Sequence, residues 1–368
     1  MGVKMIRVLQ VLDNMDIGGM ESMLMNYYRN IDRNVVQFDF LLSDRGKCFY
    51  EDEIRALGGH VYKVTPRRKN PLKNRREMVD FFKNSDYDII EIHQGVTYLL
   101  PLKLAKKFNI KNIIVHNHGV DSKYKSGPYN LFRKKIVIPY IAKTATAFFA
   151  CSKLVLADLF SDEIIKNNRY TIVNNAIDVG KYQYNKNVRD KKRAELKVGD
   201  KYVVGHVGNF TYPKNQEFIM EIAKQTPEYM YVLVGDGEYL DSCKSQNVKN
   251  VIFCGARSDV NELMQAFDVF ILPSRWEGLP LVAVEAQAAG LPVILSDAVS
   301  REAKLTDSVE FLPLVPEEWI DAISKYKCYN KKDNSRVIKK KGYDCITEST
   351  KLEKIYLSMC IDSNKKDI

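Results

Sequence analysis

The chain has 368 residues, 45% of them hydrophobic and 11% aromatic, which is too long for one average domain and enough apolar material for two cores. It contains no apolar run long enough to span a bilayer, no low-complexity tract, and seven scattered cysteines without zinc-ligand spacing; a transmembrane, wholly disordered, disulfide-framed or zinc-finger protein is therefore not expected. The formal charge of +10 is concentrated in three basic segments, 66–76, 133–135 and 331–341, and calls for an anionic membrane surface, a diphosphate-bearing substrate or simple solvation. No helix-turn-helix or ribonucleoprotein motif accompanies it, so nucleic acid is not an expected partner.

In chain order, the opening MGVKMIRVLQVLD reads as a first buried strand rather than a signal peptide, and with the cysteine usage it suggests a reducing cytoplasm. Strand-like runs follow at 7–12, 37–42, 60–64, 89–93, 112–116, 147–150 and 170–173, with helical patterns between them, such as 21–29 and 98–107. A polar stretch at 184–200 breaks the alternation and reads as a linker with a short helix. A second alternation runs through 202–207, 231–234, 251–253, 269–272 and 292–296. A last helical pattern, 345–360, carries Leu352, Ile355, Tyr356 and Met359 at helical spacing. The expected class is α/β: two Rossmann-like parallel-sheet domains, at 1–183 and 201–344, with a C-terminal helix at 345–362 returning to the first domain. In such sheets ligands collect at the carboxyl ends of strands.

The most informative stretch is LPSRWEGLPLVAVEAQAAGLPVILSD, residues 272–297, with Glu277 and Glu285 eight positions apart. Gly278 and Leu279 form a turn, and a helix is expected to start near Pro280, which suits a first helical turn. The free N–H groups at Leu279, Pro280's neighbours Leu281 and Val282, and the helix dipole attract phosphate, while the two carboxylates accept hydrogen bonds from hydroxyls on either side. That combination suits a nucleotide sugar. Gly235-Asp236-Gly237 is only a GxG, and Gly18-Gly19 after the first strand lacks the remaining glycine of a dinucleotide fingerprint, so an oxidoreductase is disfavoured.

Taken in order, VGNFTYPKNQEF, VLVGDGE, FCGARSDVNELMQAFDVFILPS and EGLPLVAVEAQAAGLPVILSD in the second half, with GGME, VHNHG, ACSK and NNAID in the first, resemble the retaining glycosyltransferases of family 4, of GT-B fold. The likeness covers nearly the whole chain and is nearest to enzymes that build bacterial exopolysaccharide or capsule. It implies two domains facing across a cleft and transfer of a sugar, with retention, from a nucleoside-diphosphate sugar. A UDP-sugar is the favoured donor and an undecaprenyl-diphosphate-linked saccharide at the inner membrane face the expected acceptor. No cofactor and no metal are implied, and the one Asp-x-Asp, at Asp86 and Asp88, precedes its strand rather than following one.

The resemblance places Lys214, Gly18 and Gly19 against the donor diphosphate, Glu277 on the donor sugar and Glu285 on the ribose. It places Gly235, Gly255 and Arg257 around the nucleotide, and His116, or its neighbour His118, near the reacting sugar. His93, at another strand end, is a candidate for the acceptor side. Asn209 stands where the family usually has Arg, which removes one cation from the expected diphosphate clamp. Rival readings are a nucleotide-sugar epimerase on the same scaffold and a non-catalytic sugar-nucleotide-binding subunit.

Overall fold

The computed structural model describes residues 5–93, 99–119, 128–159, 164–165, 167 and 169–365. The chain divides into two compact units: Met1–Ala176 with Cys345–Ile368, and Ile177–Asp344. The division thus falls at 176/177, ahead of the boundary read from the sequence.

The first unit is built on a seven-stranded sheet. Its strands are β1 (Ile6–Leu12), β2 (Val36–Leu42), β3 (Val61–Lys63), β4 (Ile89–Ile92), β5 (Asn112–Asn117), β6 (Ala147–Ala150) and β7 (Tyr170–Ile172), in the order β3-β2-β1-β4-β5-β6-β7. Every pairing is parallel. Alternate residues feed two cores, as the period-2 geometry of a strand requires. Leu9, Val11, Ile90, Ile92, Val115 and Phe148 lie on one face; Val8, Leu12, Phe38, Phe40, Ile114 and Phe149 lie on the other.

The second face is covered by the helices Gly19–Asn30 and Cys345–Lys365. The C-terminal helix buries Cys345, Leu352 and Tyr356 there, and Ser349 donates to the Tyr27 carbonyl (3.2 Å). The expected return of this helix to the first domain is thus what the structure has. Pro101 lies in the first turn of the helix Leu100–Lys107, shorter than the 98–107 pattern; Tyr98 lies outside the described residues.

The second unit carries a six-stranded parallel sheet of β8 (Val203–Val207), β9 (Met230–Val234), β10 (Val251–Phe253), β11 (Val269–Leu272), β12 (Val293–Ser296) and β13 (Val309–Leu312), in the order β10-β9-β8-β11-β12-β13. The stretch 184–200, read as a linker, holds the helix Lys186–Leu196. Asn185 caps it by accepting from the Asn187 and Val188 N–H groups. Arg189 ties it to the carbonyls of Gln265, Ala266 and Phe267 and to Asp268 (2.5 Å), so it is an element of this unit.

Each sheet therefore reverses its winding once, between β1 and β4 in the first unit and between β8 and β11 in the second. The crevice outside the carboxyl ends of strands at such a reversal is where open α/β sheets bind ligands.

Candidate active site

In the second unit, β8 ends at Val207 and runs into Gly208, Asn209 and a short 3-10 turn, Tyr212–Lys214. β11 ends at Leu272 and runs into Ser274–Glu277. The two loops meet: Lys214 Nζ forms an ion pair with Glu277 Oε1, which also accepts from Ser274 Oγ (3.3 Å), and the Arg275 N–H donates to the Pro213 carbonyl (2.7 Å). Two sequence-predicted residues, 63 positions apart, are thus joined at the switch point itself.

The support beneath Lys214 is a buried chain. His206 Nδ1 donates to the Ile271 carbonyl (3.0 Å), and Nε2, left as the acceptor, meets Gln216 Nε2 (3.2 Å). The same Gln216 amide donates to the Asn209 carbonyl (3.0 Å). Burial pulls His206 down to about 4, so it is a neutral strut. Asn209 is exposed, and its backbone is pinned by Gln216 and by the Thr211 N–H (2.9 Å). Neither His206 nor Gln216 stood out in the sequence.

Gly235, after β9, has φ +140, and a Cβ there would lie 2.1 Å from the Gly208 carbonyl oxygen. Only glycine lets these two loops close together. Gly255, after β10, has φ +65 with open space around it, and its carbonyl accepts from the Gly235 N–H (2.8 Å). Arg257 turns its guanidinium to Asp259 (2.7 Å) and Glu195 (2.8 Å).

Pro280 sits one position earlier than a first helical turn: it is the N-cap, extended at ψ 120, and the helix is Leu281–Ala288. The Ala283 N–H is taken by the Pro280 carbonyl (3.0 Å). Among the described residues no side chain caps this end. Leu279 and Leu281 are buried and hold the turn at Gly278 in place. Glu285 lies half-buried one turn further along and is hydrogen-bonded by Tyr182; burial pushes it up to about 7.

In the first unit, Gly18 is the extended N-cap of the helix Gly19–Asn30. The Glu21 carboxylate folds back over Gly18, where a Cβ would strike it, whereas Gly19 faces open space. Burial raises the Glu21 pKa.

His93 follows β4, at the switch point of this sheet, and His116 and His118 lie at the end of the neighbouring β5. His93 Nδ1 meets His118 Nε2 (2.7 Å), His93 Nε2 meets Gln10 Oε1 (2.6 Å), and His116 Nδ1 meets Glu91 Oε1 (2.6 Å). Tyr356 donates to Glu91 Oε2 (2.5 Å). The three histidines offer ligand atoms within 4.8 Å of one another, which is the spacing of a metal site. The direct His93–His118 hydrogen bond and the 4.0 Å separation of the His116 and His118 rings use part of that capacity within the cluster. Burial holds all three well below the usual histidine range, His116 at about 3, so they are neutral.

Residues 187–326 match the family described as glycosyl transferases group 1, and residues 17–181 match the glycosyltransferase family 4 domain. A putative glycosyltransferase, EpsF of Bacillus subtilis (strain 168), is 33% identical over 308 residues, which are 80% of each chain. The chain belongs to glycosyltransferase family 4. It is an enzyme of the hexosyltransferase type.

A more distant relative in this family is the Escherichia coli UDP-Gal:alpha-D-GlcNAc-diphosphoundecaprenol alpha-1,3-galactosyltransferase, 25% identical over 85% of this chain and 86% of its own. Among solved structures, Anabaena HepE in complex with UDP and glucose shares the fold at a TM-score of 0.79 and 20% identity, over 96% of this chain and all of that one. These matches establish the family and the GT-B pair of Rossmann-like domains; the roles of individual residues rest on the geometry above.

Proposed function

We propose that this family 4 enzyme transfers one hexose, with retention, from a UDP-sugar to an undecaprenyl-diphosphate-linked saccharide during synthesis of a bacterial surface polysaccharide. The observation that carries the reading is the Lys214–Glu277 pair at the β8/β11 switch point. Cleaving a sugar–phosphate bond builds negative charge on the leaving diphosphate. A fixed ammonium beside unspent backbone amides is what stabilises it. On this reading Lys214 and the N–H groups of Leu281 and Val282 take the diphosphate. Glu277, freed from Lys214 as the diphosphate arrives, accepts from donor-sugar hydroxyls; Glu285 holds the ribose; Gly235 and Gly255 border the nucleotide. His116 and His118 receive hydroxyls of the reacting sugar, and His93 braces them.

With Lys214 and the amides supplying the positive charge, no metal is required, and chelation with EDTA should leave the rate unchanged. The donor and acceptor classes are supported by the galactosyltransferase relative, whose name gives a UDP-sugar and a diphosphoundecaprenol acceptor, and by the HepE complex.

Such an acceptor sits in a membrane, and among the described residues no helix is long and apolar enough to cross one. The chain instead exposes Leu131 (55%), Phe132 (50%) and Ile136 (56%) beside Lys134 and Lys135. Leu72 is exposed within the basic segment 66–76. Apolar side chains among lysines suit peripheral docking on an anionic cytoplasmic leaflet.

The deciding assay mixes the protein with a panel of nucleoside-diphosphate sugars and short-chain polyprenyl-diphosphate saccharides and follows nucleotide release and product by mass spectrometry. Acceptor-dependent release of UDP, abolished by Glu277→Ala with the fold intact, is the expected result. Turnover of the nucleotide sugar without acceptor would favour an epimerase, and binding without turnover a non-catalytic subunit.

A further inference from the structure

Burial raises the Glu91 pKa, and with Glu91 held as the carboxylate by its donors the hydrogen bonds around the three histidines assign each proton. Gln10 Nε2 donates to Glu91 Oε2 (3.5 Å), so Gln10 turns its Oε1 toward His93, where it can only accept. His93 must therefore carry its proton on Nε2. Its bare Nδ1 then accepts from His118 Nε2–H, which leaves His118 Nδ1 without a proton. Glu91 takes Tyr356 and Gln10 on Oε2 and His116 Nδ1–H on Oε1, which leaves His116 Nε2 bare. The two nitrogens that this chain of bonds leaves unprotonated, His116 Nε2 and His118 Nδ1, are both buried and have no hydrogen-bond partner among the described residues. A buried acceptor left unpaired is costly unless a ligand donates to it.

We propose that Glu91 and Gln10 are positioning residues: they fix the tautomers of His116, His93 and His118 so that two bare imidazole nitrogens at the β4/β5 strand ends accept hydrogen bonds from hydroxyl groups of the saccharide substrate. The identity of that ligand rests on the transferase reading; the tautomer assignment does not. Free imidazole prefers its proton on Nε2, so a His116 held as Nδ1–H is imposed by its partner. With the opposite tautomer, His116 would present an N–H to the ligand, and a sugar hydroxyl would have to turn its lone pair inward instead of donating. Glu91 acts directly on His116 and, by holding the Gln10 amide, on His93 and His118; Tyr356 of the C-terminal helix acts only through Glu91.

The test is nitrogen-15 NMR of protein labelled on histidine, where the five imidazoles, at 60, 93, 116, 118 and 206, are assigned by single substitution and the protonated nitrogen is read from its chemical shift. The expected wild-type result is a neutral Nδ1–H form at His116 and neutral Nε2–H forms at His93 and His118. Glu91→Leu should return His116 to the Nε2–H form and lower kcat/KM by roughly tenfold or more, with UDP affinity unchanged. Glu91→Gln, which keeps an acceptor toward Nδ1, should retain the Nδ1–H form at His116 and most of the activity. If Glu91→Leu does not fold, the wild-type spectrum and the Gln variant still decide.

A wild-type His116 protonated on Nε2, or shifts showing stoichiometric zinc on these rings, overturns the proposal. So does a Glu91→Leu enzyme with unaltered kinetics. The expected spectrum in a protein that transfers no sugar would keep the tautomer assignment and defeat the functional reading instead.

Discussion

Glu285 combines a carboxylate meant for hydroxyl groups with a burial that resists its ionisation. Its pKa, pushed from 4.5 up to about 7, means that the folded chain holds this proton more tightly than the unfolded chain does. The group therefore favours folding below its unfolded pKa, and that contribution is lost as pH rises from about 4.5 through about 7. A ribose diol needs the ionised form, which accepts two hydrogen bonds. UDP affinity should accordingly rise with pH, by up to about tenfold per unit below pH 7, and level off above it. Calorimetry in buffers of different ionisation enthalpy should detect a proton released on binding at pH 6, and Glu285→Gln should flatten the profile. Lys214 carries the opposite charge at the same switch point. Lys214→Ala should reduce turnover by about a hundredfold, the scale of losing one preorganised donor to a developing anion, while a thermal melt without ligand changes little.

At the scale of elements, the loops that end β8, β9 and β10 close against each other, and the glycines at 235 and 255 within them differ in kind. Gly235 joins a positive φ to a backbone carbonyl 2.1 Å from any added Cβ, whereas Gly255 has the positive φ but open space. Gly235→Ala should cost the folded state about 1–3 kcal/mol or more and displace the Gly208 loop that carries Lys214. Gly255→Ala should cost only about 1 kcal/mol. Urea titration gives both numbers, and UDP binding should suffer markedly more in the first variant.

The strand ends of the second unit were legible in the sequence because buried parallel strands read as short apolar runs: VVGHV of β8, VFIL of β11 and VILS of β12 stop at Gly, Pro-Ser and Asp. β13, VEFL, was not read as a strand, because it is a half-exposed edge with a glutamate inside it. Glu91 and Gln10 were illegible for another reason. Each is a polar residue within a strand, and nothing local tells a buried strand polar group with partners from an exposed one. Tyr356 was read as one more apolar residue of a helical stripe, and its hydroxyl meets Glu91 only through the tertiary fold.

At the scale of the whole chain, the last helix completes the first unit although the second unit is inserted before it in sequence. Cys345, Leu352 and Tyr356 are buried in the core formed by β1, β2 and the helix Gly19–Asn30, and Tyr356 supplies one of the hydrogen bonds that hold Glu91. Removing residues 345–368 would bare that apolar face and leave Glu91 with one fewer donor. Fully burying a large apolar side chain contributes about 1.5–3 kcal/mol, so losing Leu352 and Tyr356 together removes about 3–6 kcal/mol, a large part of the net stability of a typical domain. The second unit has its own six-stranded sheet, its own cores and the Lys214–Glu277 pair, none of which uses the C-terminal helix. A chain ending at Asp344 should therefore show two calorimetric behaviours. The transition belonging to the first unit should fall sharply or vanish, while the transition of the second unit should persist and still rise in temperature on addition of UDP. Tyr356→Phe in the full-length chain isolates the polar part of the effect. It keeps the packing, loses one hydrogen bond to a buried carboxylate at a cost of about 1.5–3 kcal/mol, and should lower only the first-unit transition. Equal loss of both transitions on truncation would mean that the units fold as one, and the division of labour drawn from their separate cores would be wrong.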